Sequence, residues 1–164
     1  MGLIPYICEL LSAGMDNTAH PIHIILVDDD PDDRFFFREI VSEIKTPLEL
    51  KEFEDGEAFL NYLKECSSIP PPHLVLLDIN MPKKNGIECL QELRADHRFN
   101  DLPVVMFTTS TNIRDIEDSY NHGANNFVKK AYTFEEGKNA FESLLKKLEN
   151  DGFKEGGRDS FFMG

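Results

Sequence analysis

Three short runs constrain this chain more than anything else in it: "HIILV" ending at Val27, "HLVLL" ending at Leu77 and "PVVMF" ending at Phe107. Each has the length of a strand and is almost wholly apolar, without the polar alternation of a half-solvated strand. Each therefore predicts a strand covered on both faces. Two further runs, "LELKEF" over Leu48 to Phe53 and "NFVK" around Val128, bring the predicted strands to five.

Longer amphipathic segments lie between them. In "PDDRFFFREIVSEI", Phe36 or Phe37, Ile40, Val41 and Ile44 recur at helical spacing. "GEAFLNYLKEC" repeats the pattern with Phe59, Leu60 and Leu63, and "GIECLQELRAD" with Ile87, Leu90 and Leu93. "NIRDIEDSYNHG" stops at Gly123, a residue suited to a helix C-terminus. "TFEEGKNAFESLLKKLEN" places Phe141, Leu144, Leu145 and Leu148 inward, although Gly137 weakens that helix by about 1 kcal/mol relative to alanine. Strands that alternate in this way with helices predict an α/β fold with a parallel sheet and helices on both faces. In such sheets, ligands bind beyond the carboxyl ends of the strands.

The residues at those ends are acid, acid, hydroxyl and ammonium. Asp28, Asp29 and Asp30 follow the first strand, Asp78 and then Asn80 the third, Thr108, Thr109 and Ser110 the fourth, and Lys129 and Lys130 the fifth. Helix chemistry accounts for part of the acidic run from Asp28 to Asp33. Asp30 suits an N-cap, Pro31 the first helical position, and Asp32 and Asp33 the first turn, where carboxylates complement the helix dipole. That leaves Asp28 and Asp29 pointing into the cleft near Asp78. Three carboxylates so close repel one another unless a cation bridges them or protons are taken up. A hard divalent ion, Mg²⁺ with Mn²⁺ as the alternative, relieves the repulsion at neutral pH.

Composition narrows the remaining choices. The chain has 164 residues, 41% hydrophobic and 29% charged, as expected of one soluble globular domain with ragged ends. A net charge of −13 disfavours nucleic acid and anionic membrane as partners and suits cations or basic protein surfaces. Cys8, Cys66 and Cys89 form no C-x-x-C pair, and their odd number suits reduced thiols in a cytoplasmic protein. No run approaches the roughly 18 apolar residues of a membrane span. The apolar start lacks the basic region of a signal peptide, since the first Lys or Arg is Arg34. Met15 is a plausible alternative start, and residues 1–20 are expected to form a disordered extension. The Gly-rich stretch 151–164 is expected to be a flexible tail whose Phe153, Phe161 and Phe162 either dock on a neighbour or stay disordered.

Four motifs, "ILVDDDPDD", "LVLLDINMPKKNG", "LPVVMFTTS" and "GANNFVKKAY", resemble the receiver domain of two-component response regulators. The likeness spans Ile22 to Leu148, within an expected domain of residues 21–150. The wording "MPKKNG" and "FTTS" is similar to stand-alone regulators associated with bacterial phytochrome kinases. The resemblance implies a flavodoxin-like, doubly wound (βα)5 fold with strand order 2-1-3-4-5. It implies a phosphoacceptor signalling domain, with Asp78 taking a phosphoryl group from a phosphohistidine of a sensor histidine kinase. Asp29, Asp78 and the Asn80 carbonyl would hold Mg²⁺ directly, with Asp28 acting mainly through water. Lys130 and the Thr108 hydroxyl would bind phosphate oxygens, and Thr108 with Phe127 would form the switch. Output would pass through a protein contact on helix four, strand five and helix five, to a second copy or to a downstream phosphotransfer protein.

One position departs from the family. Where its lysine is followed by a cis proline, this chain reads Lys130-Ala131-Tyr132. A cis bond before alanine costs about 3–4 kcal/mol, yet Lys130 has to reach the phosphate, so a cis bond is expected. Asn80 and Ser110, the residues that tune water attack, predict an intermediate phosphoryl lifetime. Three rivals remain. A haloacid-dehalogenase-type phosphatase wants a second aspartate where Asn80 stands. A flavin site wants a phosphate loop rich in Ser, Thr and Gly after strand one. The third is a degenerate receiver acting as a phosphorylation-independent docking module, and against it stands the full set of acidic pair, aspartate, threonine and lysine.

Overall fold

The computed structural model of the chain describes residues 20–65, 70–153 and 161–163. Its strands are β1 (Ile22–Val27), β2 (Leu48–Phe53), β3 (Leu74–Leu77), β4 (Val104–Thr108), β5 (Asn126–Lys129) and the short β6 (Phe162–Met163). The helices are α1 (Pro31–Ser42), α2 (Gly56–Glu65), α3 (Gly86–Ala95), α4 (Ile113–Asn121) and α5 (Phe134–Asp151), with a 3-10 turn at His97–Phe99. All strand pairings are parallel, in the order β2-β1-β3-β4-β5-β6. The expected order 2-1-3-4-5 is therefore present, with one strand added at its edge.

Strand alternation divides the core into two layers. Ile25, Val27, Val75, Leu77, Val104 and Met106 face one side, with Phe59, Leu60 and Leu63 of α2 and Leu90 and Leu93 of α3. Ile24, Leu26, Leu74, Leu76 and Val105 face the other, with Phe37 and Ile40 of α1 and Phe141, Leu144, Leu145 and Leu148 of α5. Both faces of β3 are fully covered, which is why its sequence carries no polar alternation. Gly137, which weakens α5 by propensity, has a packing reason. A Cβ there would press on Ile40 Cδ1 at 2.6 Å, so its absence lets α1 and α5 approach.

The helices begin where the sequence placed them. Asp30 caps α1 by accepting the Asp32 N–H at 2.8 Å. Asn85 and Glu88 cap α3 reciprocally, Asn112 caps α4, and Thr133 caps α5. No helix among the described residues is long and apolar enough to cross a membrane.

Of the expected flexible tail over 151–164, the described residues are 151–153 and 161–163, and Phe153 and Phe161 among them pack against the domain. Helix α5 runs through Asp151 and ends at Gly152, in the left-handed region at φ 60°. Phe153 is buried beside α5. Phe161 is buried as well, its ring 5.2 Å from that of Tyr120, and its carbonyl accepts the Phe127 N–H at 2.8 Å. Apolar area and the β5 edge account for this packing: aromatic rings find both cover and backbone partners along β5. Apart from His20, the extension expected over residues 1–20 lies outside the described residues, as do Cys8, Met15 and Cys66. Cys89 is a free, buried thiol, and burial pushes it up to about 12.

Candidate functional site

The parallel ladder continues past the strand ends and aligns the predicted residues in one row. Asp28 N–H donates to the Phe53 carbonyl at 3.0 Å, Asp78 N–H to Val27 at 2.9 Å, and Lys130 N–H to Thr108 at 2.8 Å. Asp28, Asp78, Thr108 and Lys130 are all buried, at 0%, 6%, 0% and 7% exposure, in a molecule whose other polar groups mostly face water. Asp29 lies nearer the surface, and one oxygen from each of Asp28, Asp29 and Asp78 falls within 4.8 Å of the others.

Lys130 reaches into this acidic group. Its Nζ lies 2.7 Å from Asp28 Oδ2, 2.7 Å from Asp33 Oδ2 and 3.3 Å from Asp78 Oδ2. Burial works against its charge, but the Asp78 and Asp28 carboxylates outweigh burial and raise its pKa. Burial also pushes the Asp28 carboxyl up to about 6. Lys130 opposes that shift and the Asp78 charge adds to it. Asp28 Oδ1 accepts the Asp30 N–H at 3.1 Å. Asp28 Oδ2 is buried and has no partner in hydrogen-bond geometry, for the Lys130 ammonium is close without being directed at it. A buried carboxylate oxygen whose one cationic neighbour is shared with Asp33 and Asp78, beside two further carboxylates, matches the donor set of a hard, oxygen-preferring cation.

Asp78 is held by its own loop. The Ile79 N–H donates to Asp78 Oδ1 at 2.7 Å, which leaves Oδ2 as the oxygen next to Lys130. The loop folds back tightly: the Gly86 N–H donates to the Ile79 carbonyl at 2.9 Å, and a Cβ on Gly86 would collide with the Asp78 carbonyl oxygen. Asn80 sits exposed at the turn, its N–H 3.5 Å from Asp78 Oδ1. Thr108 Oγ1 accepts the Ser110 N–H at 3.2 Å, and the Ser110 hydroxyl donates to Asp115 in α4. Phe127 is fully buried, its ring 5.8 Å from Phe162 and 6.4 Å from Phe161.

Two sequence readings need revision here. The expected cis bond between Lys130 and Ala131 is not present: no peptide bond among the described residues is cis. Lys130 contacts Asp28, Asp33 and Asp78 with the ordinary trans bond, so the reason for expecting a strained one falls away. Asp33 was read only as a first-turn carboxylate, yet it meets Lys130 across 97 positions of sequence. The sole signal for this was its place in the first turn of a helix that opens at the rim. Arg34 was also missed; its Nη1 donates to the Asp28 carbonyl at 2.6 Å and braces the end of β1.

A buried aspartate, an acidic pair and a lysine at the carboxyl rim of a 2-1-3-4-5 sheet define a class of signalling domain. Residues 24–142 match the Response regulator receiver domain family, and the chain belongs to it. The response regulator Rcp1 of Synechocystis sp. is 34% identical over 119 residues, covering 71% of this chain and 81% of that protein. The probable methanogenesis regulatory protein FilR2 of Methanothrix harundinacea is 29% identical over 141 residues, covering 82% of this chain and 91% of that one. Among solved structures, the phosphorylated cyanobacterial phytochrome response regulator RcpA superposes with a TM-score of 0.73 at 29% identity, covering 80% of this chain and 96% of that one. The Mn²⁺-bound form of Rcp1 does so with a TM-score of 0.70 at 30% identity and the same coverage.

Proposed function

We propose that this receiver domain is a phosphorylation switch in which Asp78 accepts a phosphoryl group from the phosphohistidine of a sensor kinase. The observation that carries this reading is the buried Asp28–Asp78–Lys130 group, whose charges are compensated only in part and whose Asp28 Oδ2 lacks a hydrogen bond. Asp78 Oδ2 attacks phosphorus, a P–O bond forms as the P–N bond to the imidazole breaks, and the imidazole leaves with the bonding pair. The Ile79 N–H fixes the other oxygen, so the carboxylate is oriented before the donor arrives. Lys130 then donates to a phosphoryl oxygen, and the Thr108 hydroxyl turns from the Ser110 N–H to a second one.

Asp28, Asp29, Asp78 and the Asn80 carbonyl would hold Mg²⁺, or Mn²⁺ in its place. When bound, such an ion supplies neutralisation of the charge that gathers between carboxylate and phosphoryl oxygens. Likeness to phytochrome-associated regulators supports a phytochrome-type kinase as the donor. The signal then passes through the switch residues Thr108 and Phe127 to α4, β5 and α5, for homodimerisation or relay to a downstream phosphotransfer protein. Asn80 and Ser110 predict an intermediate phosphoryl lifetime, between seconds and many hours, in a cytoplasmic protein.

Intact-mass measurement after treatment with acetyl phosphate tests the reading. Wild type gains one phosphoryl mass only with Mg²⁺, and Asp78→Asn gains none. A folded wild type that gains nothing from acetyl phosphate or from a histidine-kinase donor would leave a docking module as the function.

A further inference from the structure

Asp33 is the cleft residue that the reaction above leaves without a task. Its Oδ2 takes the shorter of the two hydrogen bonds that Lys130 makes to the cleft carboxylates, 2.7 Å against 3.3 Å for Asp78. Asp33 does not belong to the group of carboxylates close enough to share a cation, which comprises Asp28, Asp29 and Asp78. Its side chain is 39% exposed, whereas those of Asp28 and Asp78 are 1% and 8% exposed. Of the three anions around Lys130, it alone has water to move into.

We infer that Asp33 is a positioning residue for Lys130: it holds the ammonium in the unphosphorylated state and competes for it with the incoming phosphoryl group. The inference rests on the reading of Asp78 as phosphoacceptor. An ammonium has three N–H donors and no acceptor. A phosphoryl group on Asp78 Oδ2 brings up to two further negative charges into the same pocket, and like charges at this spacing repel. Lys130 exchanges its Asp33 partner for a phosphoryl oxygen, and the Asp33 carboxylate turns to solvent beside the α1 N-terminus, whose dipole favours it. Asp33 thus opposes phosphorylation and favours the resting state. Asp32, one residue earlier in the same turn, has the same charge but no ion pair with Lys130, whose partners are Asp28, Asp33 and Asp78.

Asp32 therefore provides the control. With saturating Mg²⁺, the rate of phosphorylation by acetyl phosphate and the affinity for beryllofluoride are measured in wild type, Asp33→Asn, Asp33→Glu and Asp32→Asn. Thermal midpoints and Mg²⁺ affinities are taken alongside, and Asp33→Ser serves as a second neutral variant if Asp33→Asn does not fold. A half-exposed ion pair corresponds to a change of about fivefold. Asp33→Asn should phosphorylate and bind beryllofluoride about fivefold better than wild type, Asp33→Glu should return toward wild type, and Asp32→Asn should stay within about twofold, at similar Mg²⁺ affinity. Equal gains in Asp33→Asn and Asp32→Asn would reduce the effect to net charge and overturn the inference. So would an unchanged or slower Asp33→Asn, while the phosphoacceptor reading would stand. A wild type that takes neither phosphoryl nor beryllofluoride would overturn both.

Discussion

Two cations removed from full solvent, Arg94 and Lys130, show how differently the same kind of charge can be housed. Arg94, in the last turn of α3, donates from Nε to the Gly123 carbonyl at 3.0 Å and from Nη1 to Phe99 at 2.7 Å. Its Nη2 donates to the Leu102 carbonyl at 3.0 Å and to Asn125 Oδ1 at 3.1 Å. Every one of these acceptors is neutral. Burial lowers its pKa, so the environment offers no counter-charge sufficient to offset desolvation. Asn125 Oδ1 also accepts the Val104 N–H, so the guanidinium ties α3, the turn before β4 and the loop after α4 into one unit. Lys130 has the opposite surroundings, carboxylates in excess of its single charge and one buried oxygen without a hydrogen bond. A satisfied cation holds a fold together, whereas a cleft with surplus negative charge is incomplete without a ligand.

The largest effect expected from this contrast is structural. Arg94→Met removes four hydrogen bonds and strands carbonyls that water does not readily reach, a loss of about 3 kcal/mol in urea or thermal unfolding. Phosphoryl uptake should persist below the unfolding transition. A variant as stable as wild type would remove the distinction between the two cations.

A smaller effect of opposite sign is expected in the cleft. The Asp28 pKa in the fold is about 6, above its ordinary 3.8, so the folded state holds the proton more tightly than the unfolded one. Ionised Asp28 is thus a burden on the metal-free protein above pH 6, and the burden is relieved as the pH falls toward 4. Asp28→Asn should stabilise the metal-free protein at neutral pH by about 2 kcal/mol, under a ceiling of about 3 kcal/mol set by the shift. The gap to wild type should close between about pH 6 and pH 4. Mg²⁺ at ten times its dissociation constant should add about 1.4 kcal/mol to wild type and much less to the variant. A destabilised Asp28→Asn in metal-free buffer would show that the cleft is as satisfied as the Arg94 site.

The smallest effect lies at the sheet edge. Phe161 is buried, but β6 beside it is two residues long and pairs only with β5 among the described strands, so local opening is expected to cap its contribution. Phe161→Ala should cost about 1 kcal/mol or less, with faster hydrogen exchange at the Phe127 amide, which donates to the Phe161 carbonyl. A cost of several kcal/mol would place β6 within the cooperative core, alongside Arg94.

Much of this molecule was legible because the signals were local. Apolar runs longer than any half-solvated strand tolerates, helical spacing at Phe37, Ile40, Phe141 and Leu145, and the cap at Asp30 depend on neighbours a few residues away. Asp28, Asp78, Thr108 and Lys130 were legible as a set because a parallel sheet brings its carboxyl ends to one rim whatever the loops do. What stayed hidden depended on distance. The trans bond after Lys130 is permitted by the reach of a flexible side chain, which the departure from proline does not reveal. Asp33 meets Lys130, and Phe161 meets Phe127, only after strands and helices far apart in sequence have been placed. Short-range patterns in the sequence set the strands, the helices and the charges at the strand ends, whereas the order of the strands was legible only through the resemblance to receiver domains. Tertiary structure alone decided which carboxylate holds the lysine, which oxygen is left without a hydrogen bond and which edge the chain end covers, because each turns on a few ångströms between parts of the chain that share no local pattern.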